Sequence, residues 1–166
     1  MKFKSVVFTC LILIAVMART SFGVAEGQPL PEVSITDIAD GSLLNLSDYR
    51  GKVLLIDFWA SWCEPCAKSF PFFEALYEAY RVQGLEVVAV SLDFESSDVE
   101  QFLTDHEVSF TIGWDPKGQL ANVFKVPGMP TSYLVGRDGV VKIIHKGFSH
   151  SDKKHIEQHI LDLLGL

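Results

Sequence analysis

The sequence predicts an α/β domain in which helices flank a mixed central sheet, and three observations support this fold class. Short apolar runs alternate with helical patterns along residues 53–112, as expected for parallel strands joined by helices. The run from Val53 to Trp59 is apolar apart from Asp57, which is typical of a strand buried on both faces. Further on, two apolar runs flank the turn sequence GRDG at residues 136–139 and predict an antiparallel hairpin.

The remaining elements follow from turn signals and from the spacing of apolar residues. Asp40 and Gly41 lie between short apolar stretches and predict an N-terminal β-hairpin over residues 33–46. Apolar residues three or four apart after Cys66 predict a helix that contains Pro71, which should kink it. We therefore expect helices at about 64–81, 97–107, 118–124 and 151–164, and further strands at 85–92, 110–112, 131–135 and 140–144.

The first 25 residues have the three parts of a secretory signal peptide. Lys2 and Lys4 precede an apolar run of about 13 residues, and small and polar residues then lead to Ala25. A membrane-spanning helix needs about 20 apolar residues, so we expect cleavage after Ala25 rather than an anchor. The predicted organisation is a signal peptide at 1–25 and one domain at 26–166, which places the protein in the periplasm or another extracytoplasmic compartment.

The charge of the exported chain argues against two classes of partner. Cleavage would remove three basic residues and no acid from a chain of net charge −7, which leaves about −10. Neither a phosphate backbone nor an anionic lipid surface attracts such a protein. We therefore expect no nucleic-acid or membrane-surface partner.

Two cysteines stand two residues apart in the segment FWASWCEPC, directly after the buried strand. Cys63 falls near the N-terminus of the following helix, where unpaired N–H groups and the helix dipole stabilise a thiolate. A purely structural disulfide that closes a loop of two intervening residues would stabilise the fold only weakly. A zinc site needs two further ligands that only histidines could supply, and we interpret the five histidines as surface residues. A redox pair is the interpretation that this position favours.

The segment LIDFWASWCEPC resembles the active site of thioredoxin-fold proteins, and residues 29–166 resemble their exported TlpA and ResA branch. The N-terminal hairpin, the strand and helix inserted around 93–113, and the segment GMPTSYLV all match that branch. The resemblance implies a thioredoxin fold and a thiol–disulfide oxidoreductase with no cofactor beyond the Cys63–Cys66 disulfide. It also implies that Pro130 is a cis-proline beside the disulfide, with the backbone of Met129 free to pair with a substrate strand.

Two positions depart from the TlpA and ResA pattern. That branch often has asparagine before FWA and an acid three residues after the second cysteine, where this chain has Asp57 and Ser69. Asp57 instead matches the buried aspartate of thioredoxins, which implies a general acid or base for the resolving thiol of Cys66. Burial should raise the pKa of this carboxyl. A partly solvated acid at the end of the strand is the alternative.

The resemblance gives roles to Cys63, Cys66, Asp57 and Pro130 in catalysis, and the predicted substrate contacts are Trp62, Glu64, Pro65 and Met129. It implies a monomer that reduces disulfides in substrate proteins, receives electrons from a membrane thiol relay and acts in cytochrome c maturation.

A copper-delivery module and a thiol peroxidase share this fold and are the alternatives. Copper-delivery proteins usually separate their cysteines by three residues and add a histidine near the late strand, for which His145 is the candidate. A peroxidase would need a Pro and Thr/Ser pattern with an arginine, and none flanks Cys63.

Overall fold

The computed structural model describes residues 23–166, and residues 1–22, which hold most of the predicted signal peptide, lie outside that range. Within it, seven strands form one sheet in the order β2-β1-β5-β4-β3-β6-β7. The strands are β1 (Ser34–Asp37), β2 (Leu43–Asn45), β3 (Val53–Trp59), β4 (Leu85–Ser91), β5 (Thr111–Trp114), β6 (Thr131–Val135) and β7 (Val141–Lys146). Strands β3, β4 and β5 are parallel, and every other pair of neighbours is antiparallel.

Helices cover both faces of this sheet, as predicted. The four α-helices of the described range are α1 (Glu64–Tyr80), α2 (Ser96–Asp105), α3 (Gln119–Phe124) and α4 (Asp152–Leu164). Phe70 of α1, Val99 of α2 and Ile160 of α4 share one apolar core with Leu55 and Trp59 of β3. Leu120 and Phe124 of α3 pack on the opposite face against Ile56 and Phe58. We call these two faces the α1 side and the α3 side of the sheet.

Strand β3 lies at the centre because its sequence is apolar on both faces. All seven of its residues are buried, and it pairs with β4 on one side and β6 on the other. Successive side chains of a strand point to opposite faces, so Leu55, Asp57 and Trp59 face the α1 side. The one carboxyl of β3 therefore points into an apolar layer.

The predicted elements are all present, with shifts of a few residues at their ends. Strand β5 begins one residue late and extends to Trp114, because Thr36 of β1 pairs with that residue. Strand β7 continues to Lys146, beyond the expected end at residue 144, because Lys146 pairs with Thr131. Helix α1 runs through Pro71 and is followed by a 3₁₀ turn that ends at Gly84, whose φ of 101° favours glycine.

Candidate active site

Cys63 and Cys66 form a disulfide at the point where β3 passes into α1. The bond length is 2.03 Å and the two Cα atoms are 5.2 Å apart. Cys63 is the N-cap residue of α1, and the backbone N–H groups of Cys66 and Ala67 donate to its carbonyl oxygen. Pro65 lies in the first turn, where its missing N–H costs no helical hydrogen bond. The helix therefore begins at Cys63.

The two sulfur-bearing side chains differ in their position on the helix. Cys63 is 5% exposed at the helix N-terminus, whereas Cys66 is fully buried one turn further on. The partial positive charge of a helix N-terminus is concentrated in its first turn. When the pair is reduced, that charge favours a thiolate at Cys63, and burial in the apolar core disfavours one at Cys66.

Asp57 lies on the same side of the sheet as this cysteine pair. Its side chain is fully buried, and burial raises its pKa to about 7. The Ser132 hydroxyl donates a hydrogen bond to Oδ1 at 2.6 Å, which acts in the opposite direction on the pKa. Within residues 23–166, the other oxygen, Oδ2, is buried without a hydrogen-bond partner. The partly solvated alternative for Asp57 is therefore wrong.

Pro130 lies beside the carboxyl end of β3. Thr131, the first residue of β6, pairs with Phe58, so Pro130 stands next to the segment that leads to Cys63. The Met129–Pro130 peptide bond is cis, as the resemblance implied. Met129 packs against the core cluster that contains both cysteines. Its backbone forms no hydrogen bond to other backbone groups of the described range.

Trp62 and Phe94 are aromatic side chains that the described structure leaves about three quarters exposed, 73% and 76% respectively. Trp62 directly follows Ser61 and Phe94 directly follows Asp93, and these two preceding residues are hydrogen-bonded to each other. The backbone N–H and the hydroxyl of Ser61 each donate to a carboxylate oxygen of Asp93 at 2.8 Å. The pair holds the loop after β3 against the loop after β4, so Trp62 and Phe94 project from the same edge of the sheet.

Sequence reasoning missed Asp93 and Phe94, although a signal was present. Both follow β4, and the carboxyl ends of the neighbouring parallel strands β3 and β4 meet at one edge of the sheet. Trp114, which had no predicted role, donates its indole N–H to the carbonyl oxygen of Asp93 at 2.9 Å. This contact fixes the loop from the other side.

Glu64, between the cysteines, forms an ion pair with Lys68 at 2.7 Å, one turn further along α1. Hydrogen bonding to Lys68 lowers the pKa of Glu64 below its ordinary value. The lysine offsets part of the negative charge that would oppose a thiolate at Cys63. Ser69 is buried, and its hydroxyl donates to the carbonyl oxygen of Cys66 at 2.9 Å, so this position contributes a local helix contact.

The interpretation of all histidines as surface residues needs correction at two positions. His106 is half-buried, with its ring centroid 4.3 Å from that of Phe102. His145 is only about a quarter exposed, and its Nε2 atom is buried without a hydrogen bond in the described structure. The cause is the start of α4, whose Asp152 carboxylate lies 3.7 Å from that nitrogen.

Within residues 23–166, no three His, Cys, Asp or Glu side chains are arranged so that they could hold a metal ion. In the same range, every helix is too short or too polar to cross a bilayer.

Comparisons with known proteins agree with this geometry. The model of the AhpC/TSA family matches residues 27–144. The thiol-disulfide oxidoreductase ResA of Geobacillus kaustophilus is 34% identical over 158 residues, which cover 90% of this chain and 89% of that protein. The ResA of Oceanobacillus iheyensis is 30% identical over 95% of this chain and 88% of its own length.

A crystal structure of a candidate thiol:disulfide interchange protein DsbE from Chlorobium tepidum superimposes with a TM-score of 0.82. It is 40% identical and covers 86% of this chain and all of its own. The cysteine pair at a helix N-terminus and the extent of these matches lead to one conclusion. The chain belongs to the AhpC/TSA family and is a thiol–disulfide oxidoreductase with a thioredoxin fold.

Proposed function

We propose that this protein is an exported reductase of protein disulfides that acts through a Cys63–Cys66 dithiol and a mixed disulfide. The observation that carries the proposal is the buried Asp57 carboxyl, which faces the cysteine side of the sheet with a pKa of about 7. A carboxyl with such a pKa exchanges protons near neutral pH, as the resolving thiol requires. Cytochrome c maturation, which the family resemblance implies, is the setting we propose.

The first step transfers the substrate to Cys63. The Cys63 thiolate attacks one sulfur of the substrate disulfide, the substrate S–S bond breaks, and the other substrate sulfur leaves as a thiolate. A mixed disulfide now joins Cys63 to the substrate. The helix N-terminus favours this step because it stabilises the attacking thiolate.

The second step uses Cys66 and Asp57. Asp57 in its carboxylate form accepts the proton of the Cys66 thiol, and the Cys66 sulfur attacks the Cys63 sulfur. The mixed disulfide breaks, the substrate leaves with two reduced sulfurs, and Cys63–Cys66 becomes the disulfide seen in the structure. Two electrons have moved to the substrate, so a dithiol of a membrane thiol relay must return the protein to its reduced form.

The reduction potential of the cysteine pair tests the direction of this reaction. We expect a value more negative than about −220 mV, because a reductase must hold its electrons less tightly than its substrates. The protein is equilibrated with dithiol and glutathione buffers while tryptophan emission is followed, with the Cys63→Ser/Cys66→Ser double variant as control. A value above about −150 mV would identify an oxidant or isomerase and contradict the proposal.

We further propose that Trp62 and Phe94 bind the polypeptide around the substrate disulfide. They project from the edge of the sheet at which the disulfide lies, and both expose an aromatic ring to solvent. Aromatic side chains dominate the energetics of protein interfaces. Met129, which precedes β6 at the same edge of the sheet, offers free backbone groups. The occupant that fits is an extended segment of a substrate protein with apolar residues next to its cysteines.

Replacement of Phe94 by serine is expected to lower kcat/KM for a denatured, disulfide-containing protein about fivefold to tenfold, because one buried aromatic contact is lost. The rate with bis(2-hydroxyethyl) disulfide should not change, since that molecule carries no apolar side chains for Phe94 to bind. Val82→Ser is the matched control, because Val82 is 88% exposed after the far end of α1. Equal losses with both substrates would contradict a docking role for Phe94.

A further inference from the structure

Three polar side chains form one row across the sheet. Asp57 of β3 pairs with Ser132 of β6, and Ser132 pairs with His145 of β7. Residues directly opposite on neighbouring strands point to the same face, so all three lie on the α1 side. The flanking residues Leu134 and Ile143 belong to the core cluster of that side, which also contains Cys66. Asp57, the first residue of the row, therefore lies on the same side of the sheet as Cys66.

Ser132 is the hydrogen-bond donor to Asp57. Its Oγ lies 2.6 Å from Oδ1, a length typical of a hydroxyl that donates to a carboxylate. Ser132 is 4% exposed, so water does not compete strongly for this contact. No other side-chain hydrogen bond reaches Asp57 within residues 23–166, and its Oδ2 atom has no partner there. Oδ1 of Asp57 is therefore occupied by a hydrogen bond, whereas Oδ2 is available to accept a proton.

We infer that Ser132 is a positioning residue for the second step of the reaction proposed above, and the inference rests on that proposed function. Its hydroxyl holds Oδ1 of Asp57 and leaves Oδ2 free to accept the proton of the Cys66 thiol. The hydrogen bond also stabilises the carboxylate, which is the form that accepts a proton. Without it, Asp57 would be charged only at higher pH, and the step would become slow near neutrality.

The other elements packed around Asp57 supply few charges. Strand β4 contributes Ala89 opposite Asp57, and α4 contributes Ile156 and Ile160 to the same core. Helix α1 contributes the cysteine pair, which titrates when it is reduced. On β7, His145 is the next residue of the row, and its Nε2 lies 3.7 Å from Asp152 of α4. His145 is thus the second ionisable side chain of this row, and a test must separate its contribution from that of Asp57.

The pH dependence of disulfide reduction tests the role of Ser132. Stopped-flow rates of the reduced protein are measured from pH 5.5 to 9, and the Asp57 carboxyl of the oxidised protein is titrated by infrared spectroscopy. In Ser132→Ala, the midpoint of the rate profile and the midpoint of the carboxyl titration are both expected to rise by about one pH unit. This is the amount that one hydrogen bond to a charged group supplies. The rate should fall about fivefold at pH 7 and less than about twofold at pH 9.

Three further variants make the test specific. Ser132→Thr keeps a hydroxyl and should restore the midpoint towards that of the unmodified protein. In an Asp57→Asn background, Ser132→Ala should have no further effect on the pH profile, because the group that it tunes is absent. His145→Gln should leave both midpoints in place. Circular dichroism checks that each variant is folded.

Each contrary result has a distinct meaning. If Ser132→Ala moves the carboxyl midpoint by less than about 0.3 pH units, the inference is overturned while the proposed function stands. If His145→Gln shifts the profile and Ser132→Ala does not, His145 controls the step and the inference is again overturned. If the unmodified protein reduces no disulfide at any pH, the proposed function fails, and the role of Ser132 in it fails with it.

Discussion

Replacement of Cys63 by serine is expected to abolish disulfide reduction, with a loss of at least about 1,000-fold, whereas Cys66→Ser should trap the substrate as a mixed disulfide. The two outcomes differ because the helix N-terminus stabilises a thiolate at Cys63, while Cys66 is buried one turn further on. A serine hydroxyl at position 63 keeps its proton at neutral pH and cannot attack. At position 66 the loss removes only the second attack, so the first product accumulates.

Mass spectrometry of each variant after incubation with a disulfide-containing protein measures this directly. Cys66→Ser should gain the mass of one substrate chain, and dithiothreitol should release it. The double variant Cys63→Ser/Cys66→Ser is the control and should gain no mass. If Cys63→Ser forms the stable adduct instead, Cys66 is the attacking residue, and the order of steps proposed above is reversed.

Much of this site could be predicted from the sequence, because its main features are local. The apolar run of β3 identifies a strand buried on both faces, and the cysteines follow it within seven residues. Alternation along the strand places Asp57 on one face together with Leu55 and Trp59. Burial of Asp57 followed from that pattern, and the structure confirms it.

The partners of these residues could not be predicted, because they come from distant parts of the chain. Ser132 is 75 residues from Asp57, and Asp93 is 32 residues from Ser61. A sequence pattern predicts that strands exist, but their register depends on the packing of the whole sheet. His145 was misjudged for the same reason, since the extension of β7 to Lys146 and the packing of the start of α4 against His145 are not visible in the local sequence.

Asp57→Asn is expected to make the protein more stable above neutral pH and at the same time a slower reductase. The pKa of Asp57 is about 7 in the folded protein, compared with an ordinary value of 3.8. The folded state therefore binds the proton more tightly than the unfolded state does. The stability that comes from this proton is fully present below about pH 4, is lost as the pH rises to about 7, and stays absent above. Asparagine is neutral at every pH and avoids this loss.

The size of the effect follows from the difference of about three pKa units, which corresponds to at most about 4 kcal/mol. Thermal unfolding of the oxidised protein should show a Tm for Asp57→Asn roughly 5–15 °C higher at pH 8. The difference in Tm between Asp57→Asn and the unmodified protein should be small at pH 4.5. Asp115→Asn is the control with the opposite sign, because Asp115 accepts hydrogen bonds from the backbone N–H groups of Gln119 and Ala121. Its replacement should lower the Tm.

The rate of reduction should move in the opposite direction to the stability. Without a carboxylate to accept the Cys66 proton, the second step is expected to slow by about tenfold or more at pH 7. Replacement of a residue that serves only the fold lowers the stability of the protein. A buried carboxyl that is retained for its chemistry lowers that stability while it is present. Stopped-flow rates of Asp57→Asn that equal those of the unmodified protein from pH 6 to 9 would remove Asp57 from the mechanism. Higher stability together with slower turnover would show that this buried charge is retained for proton transfer.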